Sequence, residues 1–243
     1  MDAPLPPTEI PAPESADDDS VADLGSTDPP PLEGTVITHD DAGHIASESH
    51  FVAGRLEGIS SQYVDGKVSE RIRFADGLPD GEALIFDGQE AVKQRIFYEK
   101  GKKQGPMEIY EAGRKLAHIE YQDDLRHGVT TTFDPAGNVT SRQRFEHGLQ
   151  EGESLWYDDT GQVVRRGLYR QGQLHGELTE YYPNGRPQKR SLYQDGLLEG
   201  PVVTYLPDGK PKEKQIFRSG QPIDEIVEYD SRGRPVKKRK GLW

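Results

Sequence analysis

A repeat of 23 to 24 residues is the feature that most constrains what this 243-residue chain can fold into. One aromatic series has this spacing: Phe51, Phe74, Tyr98, Tyr121, Phe145, Tyr169, Tyr193 and Phe217. A second aromatic series has the same spacing: Tyr63, Phe86, Tyr110, Phe133, Tyr157, Tyr181, Tyr205 and Tyr229. A glycine series shares it: Gly58, Gly81, Gly105, Gly128, Gly152, Gly176 and Gly200. Because a fixed period of this size marks stacked repeats, we expect one small unit built many times.

Each unit has the residue pattern of a β-hairpin. Residues 177–182 have strand length and are followed by Pro183-Asn184-Gly185, in which proline presets φ and glycine supplies a positive φ. We assign the second turn of each unit to paired glycines four residues apart, such as Gly172 and Gly176. Turn signals every 10 to 13 residues leave no room for a helix. The predicted fold is all-β: an elongated single-layer antiparallel sheet of about eight to nine stacked hairpins.

Composition separates an N-terminal tail from the repeats. Residues 1–33 contain nine acidic residues, no Lys or Arg and no aromatic residue, so we predict a disordered, acidic, Pro-rich tail. The chain carries 42 acidic and 30 basic residues; subtracting the nine leaves 33 against 30, or about -3, for the predicted repeat domain at 34–243. No signal-peptide pattern follows Met1, which favours the cytoplasm, although a signal removed earlier would leave a secreted or periplasmic location open.

The arrangement aromatic-x-x-Gly-x-x-x-Gly, then an aromatic residue, then a glycine turn, resembles the MORN repeat. It is most similar to the MORN-variant repeats of the bacterial YwqK-type antitoxin family, and residues 169–176 and 193–200 are the clearest copies. The resemblance extends over about residues 39 to 240. It implies a binding or scaffolding module, in some cases membrane-associated. Asp124 and Asp224 each replace a glycine of the pattern.

The two aromatic series have two interpretations. The rings could line a groove that stacks on a peptide or sugar, or they could fill the space between hairpins as a hydrophobic core. We favour the core, because the rings occur in every repeat, whereas a binding site would interrupt the pattern. The slots just before the second series vary freely, so we predict a core made of a spine of rings.

A row of basic residues is the candidate partner-binding site. It lies three residues before the first aromatic series and consists of Arg71, Arg95, His118, Arg142, Arg166, Arg190 and Lys214. Residues three apart on a strand point to opposite faces, so the row is predicted on the face away from the rings, one cation per hairpin. It is either a solvated face shielded by long side chains or a track for an acidic partner, for which the chain's own tail is one candidate. Nucleic acid is excluded as a partner because the repeat domain is nearly neutral.

The remaining candidates favour no catalytic site, metal or cofactor. The chain has no cysteine, and its seven histidines form no ligand pattern; His127 and His175 share one repeat slot. No recognised catalytic or nucleotide-binding motif is present. The basic run at residues 237–240 is either a solvated terminus or a contact with anionic lipid or acidic protein.

These observations predict a non-catalytic protein-binding module that neutralises or scaffolds a partner, such as a toxin. The alternative is association with a membrane or another anionic surface through the basic row and the basic C-terminus. An enzyme would need a reactive set confined to one repeat, and the sequence presents none. The open edges of such a sheet also leave a homodimer as an alternative.

Overall fold

A computed structural model describes residues 30–239, and the side chains up to residue 236. This part of the chain is all-β. Its strands are β1 (Gly34–His39), β2 (Ile45–Val52), β3 (Arg55–Leu56), β4 (Gly58–Val64), β5 (Lys67–Ala75), β6 (Leu78–Phe86), β7 (Val92–Glu99), β8 (Lys102–Glu111), β9 (Arg114–Gln122), β10 (Leu125–Arg126), β11 (Gly128–Phe133), β12 (Val139–Glu146), β13 (Leu149–Tyr157), β14 (Val163–Arg170), β15 (Gln173–Tyr181), β16 (Pro187–Gln194), β17 (Leu197–Tyr205), β18 (Pro211–Arg218), β19 (Gln221–Pro222), β20 (Ile226–Tyr229) and β21 (Pro235–Arg239). Within residues 30–239, no helix has the length and hydropathy to cross a bilayer. Residues 1–29, where most of the predicted tail falls, lie outside the described residues.

All strands are antiparallel and belong to one open sheet in which each strand pairs with its neighbours along the chain. The short strands β3, β10 and β19 begin strands that continue as β4, β11 and β20. The 21 described strands therefore form nine hairpins, and the prediction of stacked β-hairpin repeats is confirmed.

The paired glycines have different structural roles. Asp195 and Gly196 both have positive φ, 49° and 80°, which is the geometry of a two-residue type I′ turn. Gly200, with φ of 105°, lies inside β17, beside a register shift between Ser191 and Tyr193 of β16. The predicted turn is thus made by the first glycine alone. The second glycine bends the strand, which is a correction to the sequence interpretation.

Five of the nine opposite turns are closed by aspartate, at Asp40, Asp87, Asp134, Asp158 and Asp230. In the turn after β11, Asp134 N donates to Asn138 O at 2.9 Å, and Gly137 N donates to Asp134 O at 2.9 Å. The Asp134 carboxylate also accepts hydrogen bonds from the backbone N–H groups of Ala136 and Asn138. Hydrogen bonds from the side chain and backbone of Asn138 hold the pKa of Asp134 below its usual value. This aspartate keeps the turn formed.

The most buried residues form a line across the strands rather than a spine of rings. This central row, mostly direct cross-strand partners, consists of Ser60, Ile72, Ala83, Ile96, Met107, Ile119, Thr130, Gln143, Ser154, Gly167, Leu178, Ser191, Val202 and Gln215. Ala83 is 1% exposed and Ser154 is 0% exposed. In the first aromatic series, Phe145 and Phe217 are buried, and the others are half-buried beside the row. The rings flank the core and do not form it alone, which corrects the predicted spine.

Hydrogen bonds join each hairpin to the previous one at the glycine-turn edge. Gly77 N donates to Leu56 O at 2.9 Å, and Gly196 N donates to Leu174 O at 2.9 Å. The residue just before the second glycine adds a side-chain acceptor, since Glu199 accepts from Ser219 N at 2.7 Å. Successive hairpins are thereby held in a fixed register.

Candidate protein-binding surface

The sheet has two faces with different chemistry. Side chains alternate between the faces of a strand, so the central row and the first aromatic series share one face, which we call the core face. The predicted basic row lies on the other face, which we call the cation face. Its members are separated by the intervening strands, as Arg166 shows: its cross-strand partners are Leu155 on β13 and Thr179 on β15. One cation per hairpin is found from β5 to β18, as predicted.

The second aromatic series shares the cation face. The Arg71 guanidinium lies 5.9 Å from the centre of the Phe86 ring, and Arg190 lies 5.9 Å from that of Tyr205. The basic row was predicted on the face away from the rings, and this is correct for the first series but wrong for the second. The prediction used only the three-residue offset from the first series. On its own strand, each second-series ring lies two residues after the cross-strand partner of a row member, as Phe86 follows Leu84 opposite Arg95, so alternation places it on the cation face.

Carboxylates neutralise part of the basic row. Arg95 is 3.1 Å from Glu82 and 3.7 Å from Glu108, and His118 is 2.7 Å from Glu120. Glu108 also accepts hydrogen bonds from Lys115 and from the Tyr110 hydroxyl. These hydrogen bonds, Lys115 first, lower the pKa of Glu108 from 4.5 to about 2. The members of the row on β7 and β9, Arg95 and His118, therefore contact carboxylates within the chain.

The second half of the row is less neutralised. Arg166 pairs with Glu153, and Arg190 lies 3.8 Å from Glu177. Within the described side chains, no carboxylate forms an ion pair with Arg71, Arg142 or Lys214. By alternation along β12 to β18, this face carries the cations Arg142, Arg144, Arg166, Arg170, Arg190, Lys214 and Arg218, and the carboxylates Glu146, Glu153 and Glu177. The net charge of this region is positive, although the repeat domain as a whole is nearly neutral.

An open groove lies on the cation face where the sixth hairpin meets the seventh. It encloses about 550 Å³, and its lining residues are Glu153, Leu155, Gln162, Val163, Arg166, Tyr181 and Gly185. Exposed apolar side chains continue nearby at Leu168 and Leu192, which are 37% and 40% exposed. The groove thus combines a cation, an aromatic ring and aliphatic walls.

The histidine slot has a structural role. The residue in this slot accepts a hydrogen bond from the next turn in several hairpins: Ser219 N donates to Glu199, and Asp195 N donates to His175 Nδ1 at 3.5 Å. His127 instead stacks on His147, with ring centres 5.5 Å apart. Among the described residues no group of three or more His, Cys, Asp or Glu side chains could hold a metal ion.

The basic C-terminal run is only partly described. The backbone of Lys237, Lys238 and Arg239 belongs to β21, and Lys238 pairs with Val227 in the same register as Lys214. Lys240 lies outside the described residues. The backbone register makes Lys238 a further position of the basic row.

Two features of the surface were missed by sequence reasoning. Glu82, Glu108, Glu153 and Glu177 contact the row. Three of them, Glu82, Glu153 and Glu177, share the repeat slot directly after the second glycine, a signal that the sequence offered, whereas Glu108 lies outside that slot. Trp156 was treated as one of the variable slots. It interrupts its slot on the core face, where the Arg165 guanidinium stacks 4.7 Å from its ring centre.

Comparison with known proteins identifies the repeat. Residues 150–171 and 174–195 match the MORN repeat variant. A search of curated proteins finds no match. Each matched segment covers about one period of the pattern, and other hairpins repeat the same pairing register. The turns after β4 and β8 differ, because they contain only two residues. MORN repeats are non-enzymatic modules that generally bind proteins or membranes. The chain is a MORN-repeat-like protein.

Proposed function

We propose that this protein is a non-catalytic protein-binding module and that its partner docks on the cation face. The observation that carries the proposal is the surface from Arg142 to Lys214, where cations, half-buried tyrosines and aliphatic side chains lie together around an open groove. Such mixed surfaces provide a desolvated centre with aromatic and arginine anchors, the residues that dominate binding energies at interfaces. The core face, by contrast, uses its apolar side chains for the fold.

The finer role follows from the resemblance. YwqK-type antitoxins have similar repeats, which supports neutralisation of a toxin as the purpose of binding. A row of equivalent sites along nine hairpins also supports scaffolding of a partner. Both roles require an extended contact with another protein, so one experiment tests the binding that they share.

The test is crosslinking of the full chain in extracts of its source cell, followed by identification of the linked residues. The triple variant Arg142→Glu, Arg166→Glu and Arg190→Glu reverses the charge at three positions of the basic row. The control is the triple variant Lys100→Glu, Arg114→Glu and Arg232→Glu. It reverses the charge of three exposed side chains in or directly beside turns, and it changes the net charge by the same amount. We expect one stoichiometric protein linked to β12–β18, lost in the first variant and retained in the control. Equal capture by both variants would contradict docking on this face.

Membrane association is the second candidate. The basic residues of β21 and the exposed Leu168 and Leu192 beside the row favour it. It predicts that the full chain floats with anionic vesicles in a salt-sensitive manner. Flotation without any crosslinked protein would support this alternative over the protein-binding proposal.

A further inference from the structure

The spacing of the cation row restricts which ligand can follow it. Arg142, Arg166, Arg190 and Lys214 lie on β12, β14, β16 and β18, two strands apart at each step. Neighbouring strands are about 4.8 Å apart, so the step is about 9.6 Å and four cations span about 29 Å. A ligand that contacts every member of the row must present one group per 9.6 Å, in a direction across the strands.

A polyproline II helix has nearly this spacing. It rises about 3.1 Å per residue with three residues per turn, so every third side chain lies on one side at intervals of about 9.3 Å. Over four positions the mismatch is about 1 Å. Side chains on one face of an extended β-strand recur every 6.8 Å or so, and those of an α-helix after two turns recur about every 10.5 Å, only once in seven residues. Polyproline II has no internal hydrogen bonds, so it can also bend with the twist of the sheet.

The rest of the face suits such a ligand. Tyr157, Tyr181 and Tyr205 form a row beside the cations, with one ring per hairpin, and all three are half-buried. Leu155 and Val203 occupy cross-strand positions next to Arg166 and Lys214. Proline rings pack on aromatic side chains in grooves that recognise polyproline II segments. The two residues between successive charged positions of the ligand would contact these rings and aliphatic side chains.

The positive charge of this face favours an acidic residue at every third position of the bound polyproline II segment. The strands of this face from β12 to β18 carry the excess of cations described above, and Arg142 and Lys214, at the two ends of the track, have no ion pair among the described side chains. Arg166 and Arg190 each have five N–H donors. Each can therefore bind a ligand carboxylate in addition to Glu153 or Glu177. On β7 and β9, Glu82, Glu108 and Glu120 already occupy Arg95 and His118, so the track does not extend there.

We propose that the cation face from Arg142 to Lys214 binds a polyproline II segment of another protein, with an acidic residue at every third position and proline at most positions between. This inference rests on the proposed protein-binding function and names the chemistry of the bound segment. A segment of about ten residues covers the four cations. The acidic side chains meet the basic row, and the prolines lie against Tyr181 and Tyr205.

The test compares two labelled peptides of identical composition by fluorescence anisotropy with the full chain. One is a Glu-Pro-Pro repeat of about 15 residues, and the other has its glutamates clustered at one end. We expect the repeat peptide to bind at least about tenfold more tightly, with an affinity that falls between about 50 and 200 mM salt. Equal binding of the two peptides would overturn the proposal, because simple charge attraction does not depend on spacing.

Three variants locate the site. Arg142→Glu with Lys214→Glu removes the ends of the track and should weaken binding of the repeat peptide by at least about tenfold. Tyr181→Leu keeps an apolar side chain but removes the ring, and a loss of about threefold or more is expected. Lys100→Glu with Arg114→Glu, which changes turn residues, should leave the affinity unchanged. If Arg142→Glu with Lys214→Glu leaves the affinity for the repeat peptide unchanged, the peptide does not bind along this row and the proposed site is wrong.

Failure of this test can be separated from failure of the proposed function. If neither peptide binds while the crosslinked protein still maps to β12–β18, the polyproline II inference is wrong and the docking surface stands. If anionic vesicles bind the chain and the peptides do not, the inference is also wrong, and the membrane alternative gains support.

Discussion

Replacement of Gly200 by alanine tests the bend that gives each hairpin its shape. Gly200 has φ of 105°, which side chains other than glycine rarely adopt, so the backbone cost is about 1–3 kcal/mol. An added Cβ would also lie 3.0 Å from Leu192 Cδ2, so this exposed side chain must shift by a few tenths of an ångström, at a cost of up to about 0.5–1.5 kcal/mol. We expect Gly200→Ala to lower the free energy of unfolding by about 2–4 kcal/mol, measured by denaturant unfolding followed by circular dichroism.

Two comparisons separate the backbone cost of Gly200→Ala from its steric cost. Gly105 occupies the same repeat slot with φ of 82°, and an added Cβ there meets nothing within 4 Å, so Gly105→Ala should show the backbone cost alone. In the background Leu192→Ala, the effect of Gly200→Ala should shrink by about 0.5–1.5 kcal/mol, because the remaining Leu192 Cβ is 3.7 Å away. If Gly105→Ala is as costly as Gly200→Ala and the double variant is additive, the steric reasoning is refuted.

Three further predictions concern the core, an ion-pair cluster and a turn. Ile96→Ala, at a site 2% exposed, should cost about 2–4 kcal/mol of unfolding free energy, measured in the same assay, and a smaller loss would contradict a tightly packed central row. The pKa of Glu108 is lowered to about 2, so its stabilising contribution is present above about pH 4.5 and is lost as the pH falls toward 2. Glu108→Gln should therefore cost about 1–2 kcal/mol at pH 7, after a discount for solvent screening of the partners, and much less at pH 2; an equal cost at both pH values would refute the assignment. Because hydrogen bonds keep the pKa of Asp134 low, Asp134→Ala should lower the melting temperature at pH 7, and the difference from the unmodified protein should narrow below about pH 4.

The sequence predicts the repeat well because local chemistry repeats with it. Gly196 and the preceding Asp195 specify a type I′ turn, and Asp134 specifies the opposite kind of turn, each within a few residues. Hairpins depend on such local signals, and the pairing of each hairpin with the next follows from short connections. The all-β class, the period and a count of about eight to nine hairpins therefore follow from the sequence alone.

The positions of the core and of the binding surface were harder to predict from the sequence, because they depend on which residues are neighbours across strands. The central row contains Ile96, Thr130, Gly167 and Gln215 at equivalent positions, so no residue type reveals it. Its burial comes from the side chains around each position rather than from hydropathy. The basic row was found by its period, but the ring series beside it was assigned to the wrong face, because its face follows from which residues pair with the row across the strands.

The hydrogen bond that links one hairpin to the next can form with different acceptor side chains. The backbone N–H at the start of a turn donates to Glu57, Asp80, Gln104 or Glu199, depending on the hairpin. Glutamate, aspartate and glutamine all satisfy this junction, so neighbouring units require no matched pair of residues. Duplication or loss of a whole unit during evolution would leave every remaining junction intact, and the number of ligand-binding steps could be adjusted one hairpin at a time.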